Sequence, residues 1–306
     1  MGFNKKEKLI GNIEALRLMF SLERQGRTAT ESEREQLRSY CGFGGLKCVL
    51  NPASSLMDVV SWKKSEADLF GSTLKLHQLL KENSASEAEY KSYVSSLKNS
   101  VLTAFYTPPA VVSAIADTLK QSGISPQRML DPSAGQGVFI SAFESPASDI
   151  VAFEKDLLTS KLLKHIYPEH KVRGEGFETI EQSYNNYFDV VSSNIPFGDF
   201  KVFDPALNDS PERKAAKNAI HNYFFVKSLD AVRDGGIVAF ITSQGVLNAT
   251  TNELIRRYLM DNSHLVSAVR LPNNLFTDHA GTEVGSDLII LQKQSGKQAL
   301  TDDEQL

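Results

Sequence analysis

One stretch constrains this chain more than any other. Arg128-Met-Leu-Asp131 is a short apolar run closed by an acid, and Pro132-Ser-Ala-Gly135-Gln-Gly137 then turns the chain into a second apolar run at Val138-Phe139. Glycines in such a turn let the backbone take positive φ and approach a ligand closely. A strand that turns through glycines into a helix is the first βα unit of an open parallel sheet, where nucleoside ligands bind. The phosphate fingerprint Gly-x-Gly-x-x-Gly is not completed, because position 140 is Ile. An acid at Asp131 would also repel a pyrophosphate. It suits a ligand with a cationic amino-acid end, such as S-adenosylmethionine, which carries an ammonium and a sulfonium.

The chain around this turn has the matching rhythm. Apolar runs at 128–132, 150–153, 171–173, 189–192, 237–242, 265–270 and 287–292 read as strands. Helical stretches at 109–121, 157–166, 219–232 and 253–260 lie between them. Strand-helix alternation with apolar strands implies a largely parallel sheet covered on both faces. The first hundred residues differ. Leu9, Ile13, Leu16 and Phe20 form one helical stripe, Thr30 with Glu33 reads as a capping box, and Gly42-Phe-Gly-Gly45 breaks the chain. Gly-Phe-Gly-Gly-Leu-Lys47 has the wrong spacing for a phosphate loop and reads as a turn between helices. Residues 81–100 read as a solvated helix or a connector, and no β-alternation stands out before Val101.

Two further positions carry chemistry. Glu154 follows the second strand about twenty residues after the glycine turn, where a carboxylate can take both ribose hydroxyls. Alone, it would be a surface acid at a strand-helix turn. The fourth strand ends at Asn194 and continues Ile195-Pro196-Phe197. An exocyclic amine on adenine is a poor nucleophile, because its lone pair is delocalised into the ring. The Asn194 side-chain oxygen and an adjacent backbone carbonyl can accept its two hydrogens and so favour a pyramidal nitrogen. Pro196 stiffens the turn and offers no competing N–H. Phe197 offers a face for base stacking, worth about 1–3 kcal/mol per base. Methyl transfer is an in-line displacement, so positioning supplies most of the rate and no strong general base is required. Taken alone, Asn-x-Pro is an ordinary strand end. Its place two strands after the glycine turn, with the acid between, favours the catalytic reading.

In that order the motifs resemble the amino-group DNA methyltransferases. Asp131 to Gly137 is similar to their cofactor-binding motif, Asn194-Ile-Pro-Phe197 to their Asn-Pro-Pro-aromatic motif, and Phe105-Tyr-Thr-Pro108 to the upstream motif that packs on the cofactor. The order matches the adenine-N6 group that includes modification subunits of type I restriction systems. Gly235 to Ser243, Val269 to Phe276 and Ser286 to Lys293 also resemble those subunits, so the likeness covers about 105–293. It implies a seven-stranded, Rossmann-like S-adenosylmethionine-dependent core at 101–296, a helical domain at 1–100 and a flexible acidic tail at 297–306. It implies that Asp131, Ser133, Gly135 and Gly137 cradle the methionine end, that Glu154 takes the ribose, and that Thr107 and Pro108 flank the cofactor. Glu178 or Glu175 would sit near the cofactor adenine, although Glu175-Gly-Phe-Glu178 departs from the family's Asp-Phe. Ile195 stands where the family has Pro; only its carbonyl is required. The expected reaction is methylation of adenine N6 in a flipped-out DNA base, in the setting of restriction-modification.

Alternatives stay open. Asn-Ile/Leu-Pro-aromatic is also similar to ribosomal RNA adenine dimethyltransferases, so an RNA adenine or a protein glutamine is a rival substrate. An inactive cofactor-binding module in a larger DNA-processing assembly is a rival of another class. Formal net charge is -4 over 306 residues, which does not suit nucleic-acid binding by charge alone. A separate or fused specificity or helicase component is therefore an expected partner. The helical start with Gly42-Phe-Gly-Gly-Leu-Lys47 also resembles larger methyltransferases of mobile elements, some fused to helicases. Two cysteines, Cys41 and Cys48, with no His/Cys cluster give no metal site and a reducing, cytoplasmic compartment. No secretory signal or membrane-length apolar run is present. Arg213, Lys214 and Lys217 lie in the long connection after Phe197, as a phosphate-facing or a solvated loop. His221-Asn-Tyr-Phe-Phe225 reads as the buried face of a helix or as an aromatic wall for the base.

Overall fold

The structure is a computed structural model that describes residues 4–104, 106–277 and 284–305. Helices α1 (Lys5–Gln25), α2 (Glu31–Arg38), α3 (Phe70–Glu82), α4 (Glu87–Thr103) and α5 (Pro109–Gln121) come first. There follow β1 (Arg128–Asp131), α6 (Val138–Phe143), β2 (Asp149–Phe153), α7 (Leu157–Ile166), β3 (Lys171–Arg173) and β4 (Phe188–Asn194). Then come α8 (Pro211–Ala216), α9 (Ile220–Ala231), β5 (Val232–Ser243), α10 (Gly245–Asn248), α11 (Glu253–Asn262), β6 (Ser263–Arg270) and β7 (Ser286–Lys293). The sheet has seven strands in the order β3-β2-β1-β4-β5-β7-β6. β2, β1, β4 and β5 run parallel, while β7 is antiparallel to both β5 and β6. All seven expected strands are present, and the fold is the expected α/β class.

The chain divides into two compact units. The first comprises Met1–Tyr106, Glu154–Gly174 and Phe276–Thr282, and the second Thr107–Phe153, Glu175–Leu275 and Glu283–Leu306. Helix α7 thus belongs to the helical unit, which no contiguous boundary near residue 100 would produce. Its apolar face of Leu158, Leu162, Leu163 and Ile166 is buried. Within the same unit the Ser96 hydroxyl donates to Asp156 at 2.6 Å, and Lys161 pairs with Glu23 at 2.9 Å. The stripe of α1 is buried as its spacing predicts, and the Thr30–Glu33 capping box forms. Residues 87–103 are a regular helix capped by Ser86.

The Gly42–Gly45 turn has a packing reason. A Cβ on Gly42 (φ +64°) would stand 2.8 Å from the Tyr106 ring, and one on Gly44 would meet the Ala104 carbonyl oxygen at 2.3 Å. The turn therefore lies against the segment that ends α4. Asn12 donates to the Gly42 carbonyl at 2.7 Å, and the Phe43 amide donates to the Ser100 hydroxyl at 2.9 Å. These bonds satisfy polar groups that burial would otherwise leave unpaired.

In the second unit the core lies along the sheet. Leu130, Val151, Phe153, Phe188, Val191 and Phe240 pack with Tyr223, Phe224 and Phe225 of α9. The 221–225 cluster is thus a buried helix face. The acidic tail expected to be frayed is tied down at Glu304. Its carboxylate accepts from the Leu265 amide at 3.0 Å, from the Thr301 amide at 2.8 Å and from Lys297 at 2.6 Å. A short helical turn at Asp302–Gln305 carries it. The local run of acids hides this partner, because Lys297 and Leu265 are brought to it by the chain's return along β6. Among the described residues no helix is long and apolar enough to cross a membrane.

Candidate active site

The strand order reverses at β1, whose neighbours β2 and β4 lead away in opposite directions. Crevices at such a reversal, outside the carboxyl ends of the strands, are where open α/β sheets bind ligands. β1 ends there at Asp131 and β4 at Asn194.

The glycine turn takes the form its sequence requires. Gly135 has φ +52° and Gly137 φ +79°, both left-handed. The Gly137 amide donates to the Ala134 carbonyl at 2.7 Å, and the Ala134 amide to the Phe153 carbonyl at 2.8 Å, which pins the turn to the end of β2. Asp131 is fully buried. Its Oδ1 accepts from the Ser193 hydroxyl at 2.7 Å and the Ser133 amide at 3.2 Å, while Oδ2 has no partner. Burial pushes the carboxyl up to about 7, and the two hydrogen bonds only partly oppose this. Thr107 is also buried with its hydroxyl unpartnered. It precedes Pro108, the residue that leads into α5. A buried carboxylate oxygen and a buried hydroxyl without partners are the polar groups a cationic ligand would satisfy.

β4 carries the tetrapeptide. Asn194 pairs with Ile241 of β5, and the Ile195 amide donates to the Ile241 carbonyl at 3.0 Å. That bond explains why Ile and not Pro occupies position 195: the strand pairing runs one residue further, and proline would forfeit it. The Ile195 side chain is buried in the core, leaving its carbonyl as its contribution. Pro196 and Phe197 are half-buried.

Ser193 is the residue that the sequence did not single out. Its hydroxyl also lies 3.2 Å from the Ser133 carbonyl, so it joins the cofactor turn to the strand whose next residue is Asn194. Only the β1–β4 pairing makes it visible. His221 stands at the head of the 221–225 cluster. It is buried at the start of α9, and burial lowers its pKa against the opposing influence of the Asp199 carboxylate and the Gly198 carbonyl.

Other expected residues fall elsewhere. Glu154 belongs to the first unit, where its Oε1 accepts from the Asp156 amide at 2.6 Å and its own amide donates to the Arg173 carbonyl. Its expected ribose role rests on its place in the sequence, directly after β2. Glu178 sits in a 3-10 turn with its carboxylate folded over Gly176, whereas Glu175 is exposed and accepts from Thr179. Phe105 lies outside the described residues. Arg213 is spent on structure: it holds Asp230 through two bonds of 2.7 and 2.8 Å, and Asp209 at 2.7 Å. Lys217 donates to the Asp204 carbonyl and to Asn208, leaving Lys214 exposed on that connection.

The N-6 DNA methylase family matches residues 91–305. The chain belongs to that family. Among relatives of this chain, Defense against restriction protein B of Escherichia phage P1 is 27% identical over 197 residues, covering 64% of this chain and 8% of that protein. The Type I restriction enzyme EcoEI methylase subunit of Escherichia coli is 24% identical over 200 residues, 58% of this chain and 40% of that one. The chain therefore spans well under two thirds of the length of these relatives. Among solved structures, a Listeria monocytogenes protein described as a class I S-adenosylmethionine-dependent methyltransferase aligns over 97% of this chain and 91% of that one, with a TM-score of 0.54 and 13% identity. A type I restriction-modification methyltransferase subunit from Streptococcus thermophilus aligns over 98% and 85%, with a TM-score of 0.53 and 14% identity. The fold is that of these methyltransferases.

Proposed function

We propose that this chain transfers a methyl group from S-adenosylmethionine to the N6 amine of adenine in DNA. The observation that carries the proposal is the Ser193 bridge. One hydroxyl links the buried carboxylate of the glycine turn to the residue before Asn194. When bound, S-adenosylmethionine supplies the electrophilic methyl group. Asp131 Oδ2 and the Thr107 hydroxyl are the groups that would hold its methionine end, with Ser133, Gly135, Gly137 and Pro108 shaping the turn around it. A cationic amine beside Asp131 would draw the carboxyl back to its charged form. The Asn194 side-chain oxygen and the Ile195 carbonyl accept the two amine hydrogens of a flipped base, and Phe197 stacks on its ring. Flipping costs a few kcal/mol, which these contacts offset. Because the reaction is a displacement, positioning is the main contribution of the protein.

The acidic balance of the chain and its small share of its relatives favour a further component, separate or fused, that supplies sequence recognition. The test is calorimetric titration with S-adenosylmethionine and S-adenosylhomocysteine, then transfer of labelled methyl to unmethylated DNA, RNA and protein side by side. Binding with label in DNA adenine, abolished by Asn194→Ala without loss of cofactor affinity, is the expected result. Label in RNA or in glutamine would replace the substrate. Binding with no transfer in any arm, partners included, would reduce the chain to a binding module.

A further inference from the structure

The connection that leaves the tetrapeptide carries two aromatic rings in open solvent. Phe200 is 68% exposed and Phe203 88% exposed, in Asp199-Phe-Lys-Val-Phe203. Single exposed apolar side chains are common on surfaces, but paired large aromatics beside a site mark a binding surface.

These rings are displayed on a fixed base. The Gly198 carbonyl accepts from the Ile220 amide at 3.3 Å, and the Val202 amide donates to the Lys217 carbonyl at 2.9 Å. Gly198 has φ +125°, and a Cβ there would stand 2.8 Å from the Phe200 ring. Only glycine lets that ring lie against the residue that follows the tetrapeptide. Directly after Phe203, Asp204 is buried. Its Oδ2 accepts from Lys227 at 2.9 Å and Tyr223 at 2.8 Å, and its Oδ1 from the Ala206 amide at 2.8 Å. Phe203 is thus held outward by a neighbour locked inward. Lys201, between the two rings, is exposed and has no carboxylate partner among the described residues. Aromatic faces interleaved with a cation are the means by which single-stranded nucleic acid is gripped without sequence preference. Apolar side chains beside a distorted step can also wedge between bases.

We propose that Phe200 and Phe203 form a stacking platform for unpaired nucleobases adjoining the target base, with Lys201 facing the phosphodiester backbone. The platform rests on the reading of the chain as a nucleic-acid methylase and extends it to the strand beside the flipped base.

The test uses the full chain and a fluorescein-labelled single-stranded oligodeoxyadenylate. Replacing both rings in Phe200→Ala/Phe203→Ala should weaken binding, followed by anisotropy, about tenfold or more, with unchanged affinity for S-adenosylhomocysteine as a check on folding. In Phe203→Trp, a reporter that a merely structural residue would not provide, the oligonucleotide should quench emission that the buried Trp62 of the wild type does not lose. Equal binding by the double variant, an unaltered Phe203→Trp spectrum at saturation, or no binding by the wild type at low salt would each overturn the proposal. Quenching with no methyl transfer to DNA, even with partners added, would leave the platform standing and remove the methylation reading. Transfer to DNA without quenching would do the reverse.

Discussion

Two buried aspartates in one unit show how differently this fold treats a carboxylate. Asp204 is 3% exposed and surrounded by donors: Lys227, Tyr223 and the Ala206 amide. Burial alone would raise its pKa, but these partners hold it below the ordinary value. Asp131 is 0% exposed, has no cation beside it among the described residues, and is pushed up to about 7. The first aspartate is complete and serves structure. The second keeps one carboxylate oxygen without a hydrogen-bond partner. A buried acid perturbed in this way is a functional-site candidate.

The comparison can be broken first at Asp204. Asp204→Ala should cost about 3–5 kcal/mol in urea denaturation, because it strands the buried Lys227 amine. A loss under 1 kcal/mol would show that the pair anchors nothing. At Asp131 the sign reverses. Asp131→Asn should raise the stability of the ligand-free chain by a few kcal/mol at pH 8, while weakening S-adenosylmethionine binding at least tenfold. The folded-state pKa is raised, so the folded chain holds its proton between about 4 and 7 where the unfolded chain has released it. Stability from this group is therefore complete below about 4 and lost as pH rises through about 7. The gap between variant and wild type should open over that window and level off above it. A gap that is constant with pH would place the Asp131 titration elsewhere. For Asp204, with its lowered pKa, stability is present above about 4 and fails only as pH drops below that.

Ser193→Ala sharpens the contrast at a smaller scale. It removes one of two donors to Asp131, and should cost about 1–2 kcal/mol of cofactor affinity by calorimetry while leaving the urea midpoint nearly unchanged. The smallest effect is expected at Glu304, an acid completed like Asp204 but at the rim. Burial opposes its charge, yet Lys297 and the Thr301 and Leu265 amides hold its pKa down to about 2. Glu304→Gln should cost about 1 kcal/mol, read as faster hydrogen exchange at the Leu265 amide.

The sequence by itself determined the parts whose causes are local. Short apolar runs and helical spacing placed all seven strands and the helices between them. Gly135 and Gly137 announced a turn that only glycine can make, and the tetrapeptide at 194–197 announced its own place at a strand tip. Asp131 and Asn194 were singled out by residue type and spacing, whereas Thr107 was named only through the family resemblance.

Tertiary structure alone decided what depends on pairing between distant segments. The register of β1 against β4 brings Ser193 to Asp131 across 62 residues of chain. The bond from the Ile195 amide to Ile241 gives the departure from Pro its reason. Helix α7 joins the N-terminal helices although it lies between two strands in sequence, because its buried leucines find their partners there. Side-chain type and spacing specify a local conformation, but which groups lose water together is settled only when the whole chain has packed, and that gives one buried aspartate a full set of donors and leaves the other with an unpartnered oxygen.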